Sequence, residues 1–352
     1  MFITGVGTAV PPRRYTQAQC WDSVAGAPRI EALSPRSRAL LRKVLLGANG
    51  IAARHLALDS IEQVFDPDPD ALHRRFVRHA PALACAAAER ALRESGCAPA
   101  AIDAVVISTC TGYLCPGLTS YVIERVGLRR DALALDLVGQ GCGAALPNLR
   151  AAAALVAGRG CERVLSICVE VCSAAFYLDD DPGVLVSACL FGDGAAAMVL
   201  DAVPHPRARR VEWKCAGSLV EPEQRDALRF EQRRGLLRNV LTPAVPALAA
   251  DGAERVLDSV LRGAGITRER IAAWIWHAGG RDVLAALQDR LRLRAQDVEW
   301  SRAVLEAHGN LSSPFVYFVL KAALAGGAPG GWWWMSSFGA GFSCHGALLE
   351  VA

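Results

Sequence analysis

Cys142 stands between glycines in GQGCG, after the apolar stretch LALDLV and before a long, largely apolar helical segment. A strand, a sharp turn and a helix in that order present the sulfur at a helix N-terminus, where free N–H groups and the helix dipole favour thiolate over thiol. The chemistry this predicts is nucleophilic. The chain has 12 cysteines, most of them in apolar stretches such as ALACAAAER and LVSACLFGDG, where cysteine is a small buried hydrophobe. The flanking glycines set Cys142 apart. His277 closes the apolar run IAAWIW and is followed by Ala-Gly-Gly, so an imidazole emerges at a strand end, where α/β proteins place reactive groups. Asn310, in AHGNLSS, precedes a second apolar helix. Read alone it is an N-cap; read with the other two, its amide can donate to a developing oxyanion. His55, His73, His79 and His205 read as core or surface residues, whereas His308 and His345 adjoin turns that can line a site.

The elements that must position these residues repeat. AAAERALRESGCAPAAIDAVVISTCTG and GAERVLDSVLRGAGITRERIAAWIWHAGG each give an amphipathic helix, a terminating Gly, a polar turn and an apolar strand, at Ile102 to Ser108 and Ile271 to His277. LFGDGAAAMVL and SFGAGFSCHGALLEV both set a Phe-Gly-x-Gly turn before an apolar strand. GQGCGAALPNLRAAAALVAG and HGNLSSPFVYFVLKAALAGG both lead from a Gly-bearing turn into an apolar helix. Three echoes in one order predict a duplicated α/β fold, with helices such as the one over Leu149 to Val156 buried on every side. The Arg- and Pro-rich stretch DAVPHPRARRVEW is the natural junction, near Pro204 to Arg210, dividing the chain into 1–205 with the cysteine and 206–352 with the histidine and asparagine.

Composition narrows the function classes. With 352 residues, 52% of them hydrophobic, the chain can bury one large core or two medium ones. Its 38 basic and 35 acidic residues give a net charge of +3, too even for the basic face that nucleic-acid binding needs. No cysteines show C-x-x-C spacing, so no metal site is expected and a reducing compartment is. The start MFITGVGTAVPPRRYTQ lacks the basic and apolar regions of a signal peptide, and no apolar run approaches the roughly 18 residues of a membrane span. The expectation is a cytoplasmic protein.

As a set, GCGAALPNLR, WIWHAGG and GNLSS, with LFGDGAAA and the closing FGAGF, resemble the type III polyketide synthases, the chalcone and stilbene synthase family. The likeness runs across nearly the whole chain from GVGTAVPP. It implies a thiolase-like fold of two similar halves in layered α-β-α-β-α architecture, a homodimer, and coenzyme A thioesters as substrates without a carrier protein. It also implies the roles: Cys142 takes the starter acyl group, His277 pairs with it, and His277 with Asn310 holds the malonyl thioester carbonyl. Loss of carbon dioxide from malonyl then leaves an enolate that fixed donors stabilise. Its attack on acyl-Cys142 is effectively unimolecular in one cavity. No metal or redox cofactor is needed.

The resemblance also points to a cavity wall. Cys110 and Thr111 fall where long-chain alkylpyrone and alkylresorcinol synthases line an acyl tunnel. Cys172 and Ala175, in CSAAF, are small where chalcone-type relatives carry threonines. Ser312 belongs to the same lining, Phe191 matches one aromatic gatekeeper, and the other falls near Arg238. Ala340 replaces a proline in the family's GFGPG loop. Arg54, in GIAARHLAL, matches a position that meets the coenzyme A phosphates, and Gly279 and Gly280 can let the backbone approach the pantetheine arm. A fatty acyl-CoA starter giving alkylresorcinols or alkylpyrones is the leading expectation. Cysteines at 110 and 172 also suit tetrahydroxynaphthalene synthases, which use malonyl-CoA alone. The rivals are a chalcone-type synthase, a ketoacyl synthase of fatty-acid initiation with a single condensation, a thiolase using Cys344 as its second cysteine, and a non-catalytic acyl-binding subunit.

Overall fold

A computed structural model describes residues 1–65, 67–206 and 209–352. The strands of the first half are β1 (Phe2–Ala9), β2 (Arg14–Thr16), β3 (Ala53–His55), β4 (Ala104–Ser108), β5 (Leu133–Leu137), β6 (Arg163–Glu170) and β7 (Gly194–Asp201). Those of the second are β8 (Val211–Val220), β9 (Leu228–Arg233), β10 (Leu236–Leu241), β11 (Ile271–Trp276), β12 (Gly331–Gly339) and β13 (Ser343–Val351). The sheet order is β11-β12-β13-β8-β1-β7-β6-β4-β5. In each half a parallel pair, β4–β6 or β11–β12, is followed by two antiparallel steps, through β7 to β1 or through β13 to β8. All three sequence echoes fall on equivalent elements of this repeat. Part of the junction at Pro204 to Arg210, residues 207 and 208, lies outside the described residues.

Local chemistry explains the outer layer. Helix Pro69–Ser95 begins on Asp68, whose carboxylate accepts from the backbone N–H groups of Asp70 and Ala71, and ends at the left-handed Gly96. Its buried face is small: Ala80, Ala84, Ala87, Ala88 and Ala91 are fully buried. Against them lie Gly5 and Gly7 of GVGTAV, where a β-carbon would come within 2.3 Å of the Ala91 carbonyl oxygen or 2.0 Å of that of Ala87. Glycine is required for that approach.

Helices Ala145–Ala157 and Phe315–Ala325 form the middle layer, each packed against strands of both halves. Their polar groups are buried and paired. The Tyr317 hydroxyl lies 2.7 Å from Ser166 Oγ and donates to the Ala145 carbonyl. The Asn148 amide donates to the carbonyls of Val106 and Ile167, tying the first central helix to β4 and β6. This fixes the helix that carries the GQGCG turn. Helices Val245–Ala264 and Arg281–Leu291 cover the second half. Among the described residues, no helix is long and apolar enough to cross a membrane.

Candidate active site

Cys142 lies in a turn of 3-10 helix, Gly141–Ala144, that runs into the central helix Ala145–Ala157. The turn is held by the other half of the chain. Ser337 Oγ donates to the Gly143 carbonyl at 2.9 Å, and a β-carbon on Gly339 would meet the Gly143 nitrogen at 2.5 Å. The two glycine turns of the duplicated halves thus touch backbone to backbone. His277 follows β11, its N–H donating to the Ser336 carbonyl at 2.9 Å, and its ring meets Phe315 edge-on at 5.3 Å. Asn310 Nδ2 donates to the Gly279 carbonyl at 3.1 Å, while its Oδ1 accepts from the Ser312 N–H at 2.8 Å. One amide hydrogen of Asn310 is left for a ligand. Asn310 is also bridged through its backbone to Leu190 and Gly192, so the FGDG turn and the GNLSS turn are one unit.

These elements bring Cys142, His277 and Asn310 to one cavity of about 480 Å³, whose walls include Phe191 and Phe338. The exposed Lys43 and Arg281 also line it and mark its rim.

The electrostatics correct one expectation. A helix N-terminus was expected to favour the thiolate, but Cys142 is buried. Burial pushes its thiol up to about 12, although the Ser312 hydroxyl, 3.2 Å from Sγ, opposes that rise. Burial likewise holds His277 down to about 3, and its Nδ1 has no partner among the described residues. Both shifts favour a neutral thiol beside a neutral imidazole, an arrangement in which the proton moves as the sulfur attacks. Well below a thiol's pKa its thiolate fraction grows tenfold per pH unit. Iodoacetamide alkylation of Cys142, followed by peptide mass spectrometry, is accordingly expected to quicken about tenfold per unit between pH 6 and 9. A rate already flat near neutrality would instead indicate a resting ion pair.

Glu170 is the group the sequence reading missed. Fully buried at the end of β6, it accepts from Cys110 N–H at 3.0 Å and from the hydroxyls of Thr111 at 2.9 Å, Ser313 at 2.6 Å and Ser312 at 3.4 Å. Burial raises its pKa, and the Ser313 hydroxyl, the Cys110 N–H and the Thr111 hydroxyl oppose that rise. Ser312, at a backbone φ of 58°, thus sits between the Cys142 sulfur and a buried carboxyl. The signal was available: RVLSICVE is an apolar strand closed by an ionisable residue, as IAAWIW is closed by His277.

The other expected residues divide. Thr111, Cys172, Ala175, Phe191 and Ser312 line a side space of about 20 Å³, room for roughly one water molecule. The small side chains at 172 and 175 thus border a narrow cleft. Cys110 donates its thiol to Glu170 at 3.3 Å and is not on that wall. Gly279 and Gly280 line the main cavity. Ala340 packs against Gly141 instead. Arg54 does not face coenzyme A: only 2% exposed, it donates from Nη1 to the carbonyls of Ala188 and Phe191 and from Nε to Gln17. The second gatekeeper is also corrected. Arg238 pairs with Glu231 and Asp181, and its neighbour Asn239 takes the place on the cavity wall. His308 packs edge-on against Phe318 and His345 bonds Ser218, and neither lines the cavity. Cys344 is buried against Gly252.

Residues 16–215 match the family described as FAE1/Type III polyketide synthase-like protein, and residues 214–350 match the chalcone and stilbene synthase C-terminal domain. A 3,5-dihydroxyphenylacetyl-CoA synthase of Streptomyces toyocaensis is 30% identical over 363 aligned positions, covering 99% of this chain and 89% of its own. A 1,3,6,8-tetrahydroxynaphthalene synthase of Streptomyces peucetius subsp. caesius is 30% identical over 354, covering 99% and 92%. Among solved structures, PKS-I of the brown alga Ectocarpus siliculosus superposes with a TM-score of 0.90 at 26% identity, covering 99% of this chain and 98% of that one. The 1,3,6,8-tetrahydroxynaphthalene synthase of Streptomyces coelicolor A3(2) superposes at 0.88 with 23% identity and 99% of both chains, a likeness of fold. The architecture is the thiolase-like one expected.

Proposed function

The chain belongs to the type III polyketide synthase family of acyl-transferring condensing enzymes, and on that premise we propose that it extends a short, malonyl-derived or otherwise small acyl starter on Cys142 into a polyketide that closes to a hydroxylated ring. The observation that carries this reading is the side space of about 20 Å³ beside Cys172 and Ala175. That cleft, with room for about one water, offers no tunnel for a long alkyl chain beside Cys172 and Ala175, so the fatty acyl starter suggested by the sequence draws no support from this wall. The names of the two Streptomyces relatives, both hydroxylated aromatics, point the same way.

In this reading the Cys142 sulfur attacks the starter thioester as His277 takes its proton, the bond to the coenzyme A sulfur breaks, and coenzyme A leaves as the free thiol with that proton from His277. The malonyl thioester oxygen then sits against the free N–H of Asn310 and that of the His277 imidazole. Its carboxylate departs as carbon dioxide, and the electron pair of that bond becomes an enolate held by those donors. The enolate carbon bonds to the acyl carbon, the C–S bond breaks, and Cys142 is released for the next round. Exposed and lining the cavity, Lys43 and Arg281 would meet the coenzyme A phosphates in this reading.

Purified protein given malonyl-CoA alone, or with acetyl-CoA or dodecanoyl-CoA, tests the starter by mass spectrometry of the products. Aromatic polyketides from malonyl-CoA alone or with acetyl-CoA are expected, with dodecanoyl products at least tenfold fewer. Alkylresorcinols or alkylpyrones as the main products would overturn the reading, and a single condensation requiring a carrier protein would favour a ketoacyl synthase.

A homodimer is part of the same proposal. β5 is an edge strand whose margin exposes Leu133 (44%), Val138 (58%) and, nearby in sequence to its partner β4, Tyr113 (70%). An apolar unpaired edge invites a second copy across a twofold axis. Light scattering is expected to give about twice the chain mass of 37.4 kDa, and Leu133→Arg with Val138→Arg to return it to the monomer. A monomer in the unaltered protein would refute it.

A further inference from the structure

Asn239 lies on β10, which alternates between two environments. Leu237, Asn239 and Leu241 face the cavities, while Arg238 turns the other way to Glu231. Asn239 is only 5% exposed, and it borders both the cavity that holds Cys142 and the side space beside Ser312. Its amide is anchored in one orientation. The Ser187 hydroxyl spends its only proton on the Gly183 carbonyl at 2.6 Å, so Ser187 Oγ can only accept, and Asn239 Nδ2 donates to it at 2.8 Å. The carbonyl Oδ1 is therefore the end turned away from Ser187, and it has no partner among the described residues. Thr242 Oγ1, on the same cavity wall, is buried and equally without a partner.

A buried acceptor left unpaired is costly, and one that a ligand can satisfy becomes a means of selection. The Asn239 carbonyl is already closed off from water, and an alkyl chain lying against it would leave it unpaired and give nothing back. A poly-β-ketone chain enolises, and its enol O–H is a donor of the kind that the carbonyl lacks. We propose that Asn239 is a specificity-determining residue that accepts a hydrogen bond from the enol hydroxyl of the growing chain, selecting oxygenated acyl intermediates over saturated ones. The inference rests on the proposed condensing activity and adds to it the residue that reads the chain. Ser187 is its positioning residue.

The test uses acetoacetyl-CoA and butanoyl-CoA, matched in length and differing in the enolisable oxygen, each extended with malonyl-CoA by the whole enzyme. The readout is the ratio of their kcat/KM values within one preparation, which a general loss of folded protein does not move. The unaltered enzyme is expected to prefer acetoacetyl-CoA, and Asn239→Leu to lower that ratio about ten- to a hundredfold, mainly by improving butanoyl-CoA. Should Asn239→Leu fail to fold, Ser187→Ala, which frees the amide to turn, is expected to lower the ratio at least threefold. A ratio unchanged in every variant that folds overturns the role of Asn239 while the condensing activity stands. An unaltered enzyme that extends neither starter and makes no product from malonyl-CoA overturns the condensing activity itself, and this inference with it.

Discussion

Cys142→Ala is expected to cut polyketide formation by a factor on the order of 10⁴ or more, because removing a nucleophile that acts in concert with its base costs nearly the whole catalytic advantage of the group. The fold should survive. The side chain is small, the turn is held by backbone contacts to Gly339 and by Ser337, and alanine already follows at 144 and 145. One partial reaction should persist. His277 and Asn310 remain in the same cavity, so malonyl-CoA should still lose carbon dioxide while no acyl group is found on the protein. Product formation by the variant within tenfold of the unaltered enzyme would remove Cys142 from the chemistry, and loss of decarboxylation along with condensation would remove the division of labour proposed for the other two.

Arg54→Ala is expected to act on stability, by about 3–5 kcal/mol. The guanidinium donates to the Ala188 and Phe191 carbonyls at 2.6 and 2.8 Å and to Gln17, whose own amide donates to the Cys189 carbonyl. Its loss strands buried acceptors at the root of the FGDG turn that Asn310 also grips. Urea unfolding should show a lower midpoint, while the KM for malonyl-CoA of the protein that remains folded should move less than threefold. A large rise in KM at unchanged stability would restore Arg54 as a coenzyme A contact.

Much of the frame was legible. The three echoes located the repeat because helix, glycine stop, turn and strand leave a pattern of local origin, and residues joined by such patterns fall where the chain predicts. The cysteine, histidine and asparagine that share the main cavity stood out for the same reason, as polar residues in glycine-bearing turns beside apolar elements. What escaped depends on tertiary burial. The thiol's protonation state could not be read from its helix start, since burial outweighs the field of a single turn. Arg54 read as a coenzyme A contact because charged residues are almost never buried without partners, and its partners come from distant segments. At Arg238 and Asn239 the difficulty was parity: a strand placed one residue out exchanges its inner and outer faces.

The contact between Gly143 and Gly339 carries a last implication. The nucleophile's seat is half built by the far end of the polypeptide, with no side chain from either glycine to cushion a mismatch. A change as small as a methyl group near the C-terminus can therefore silence chemistry carried far upstream. A substitution on the chamber walls leaves this backbone contact intact, whereas one at Gly339 does not.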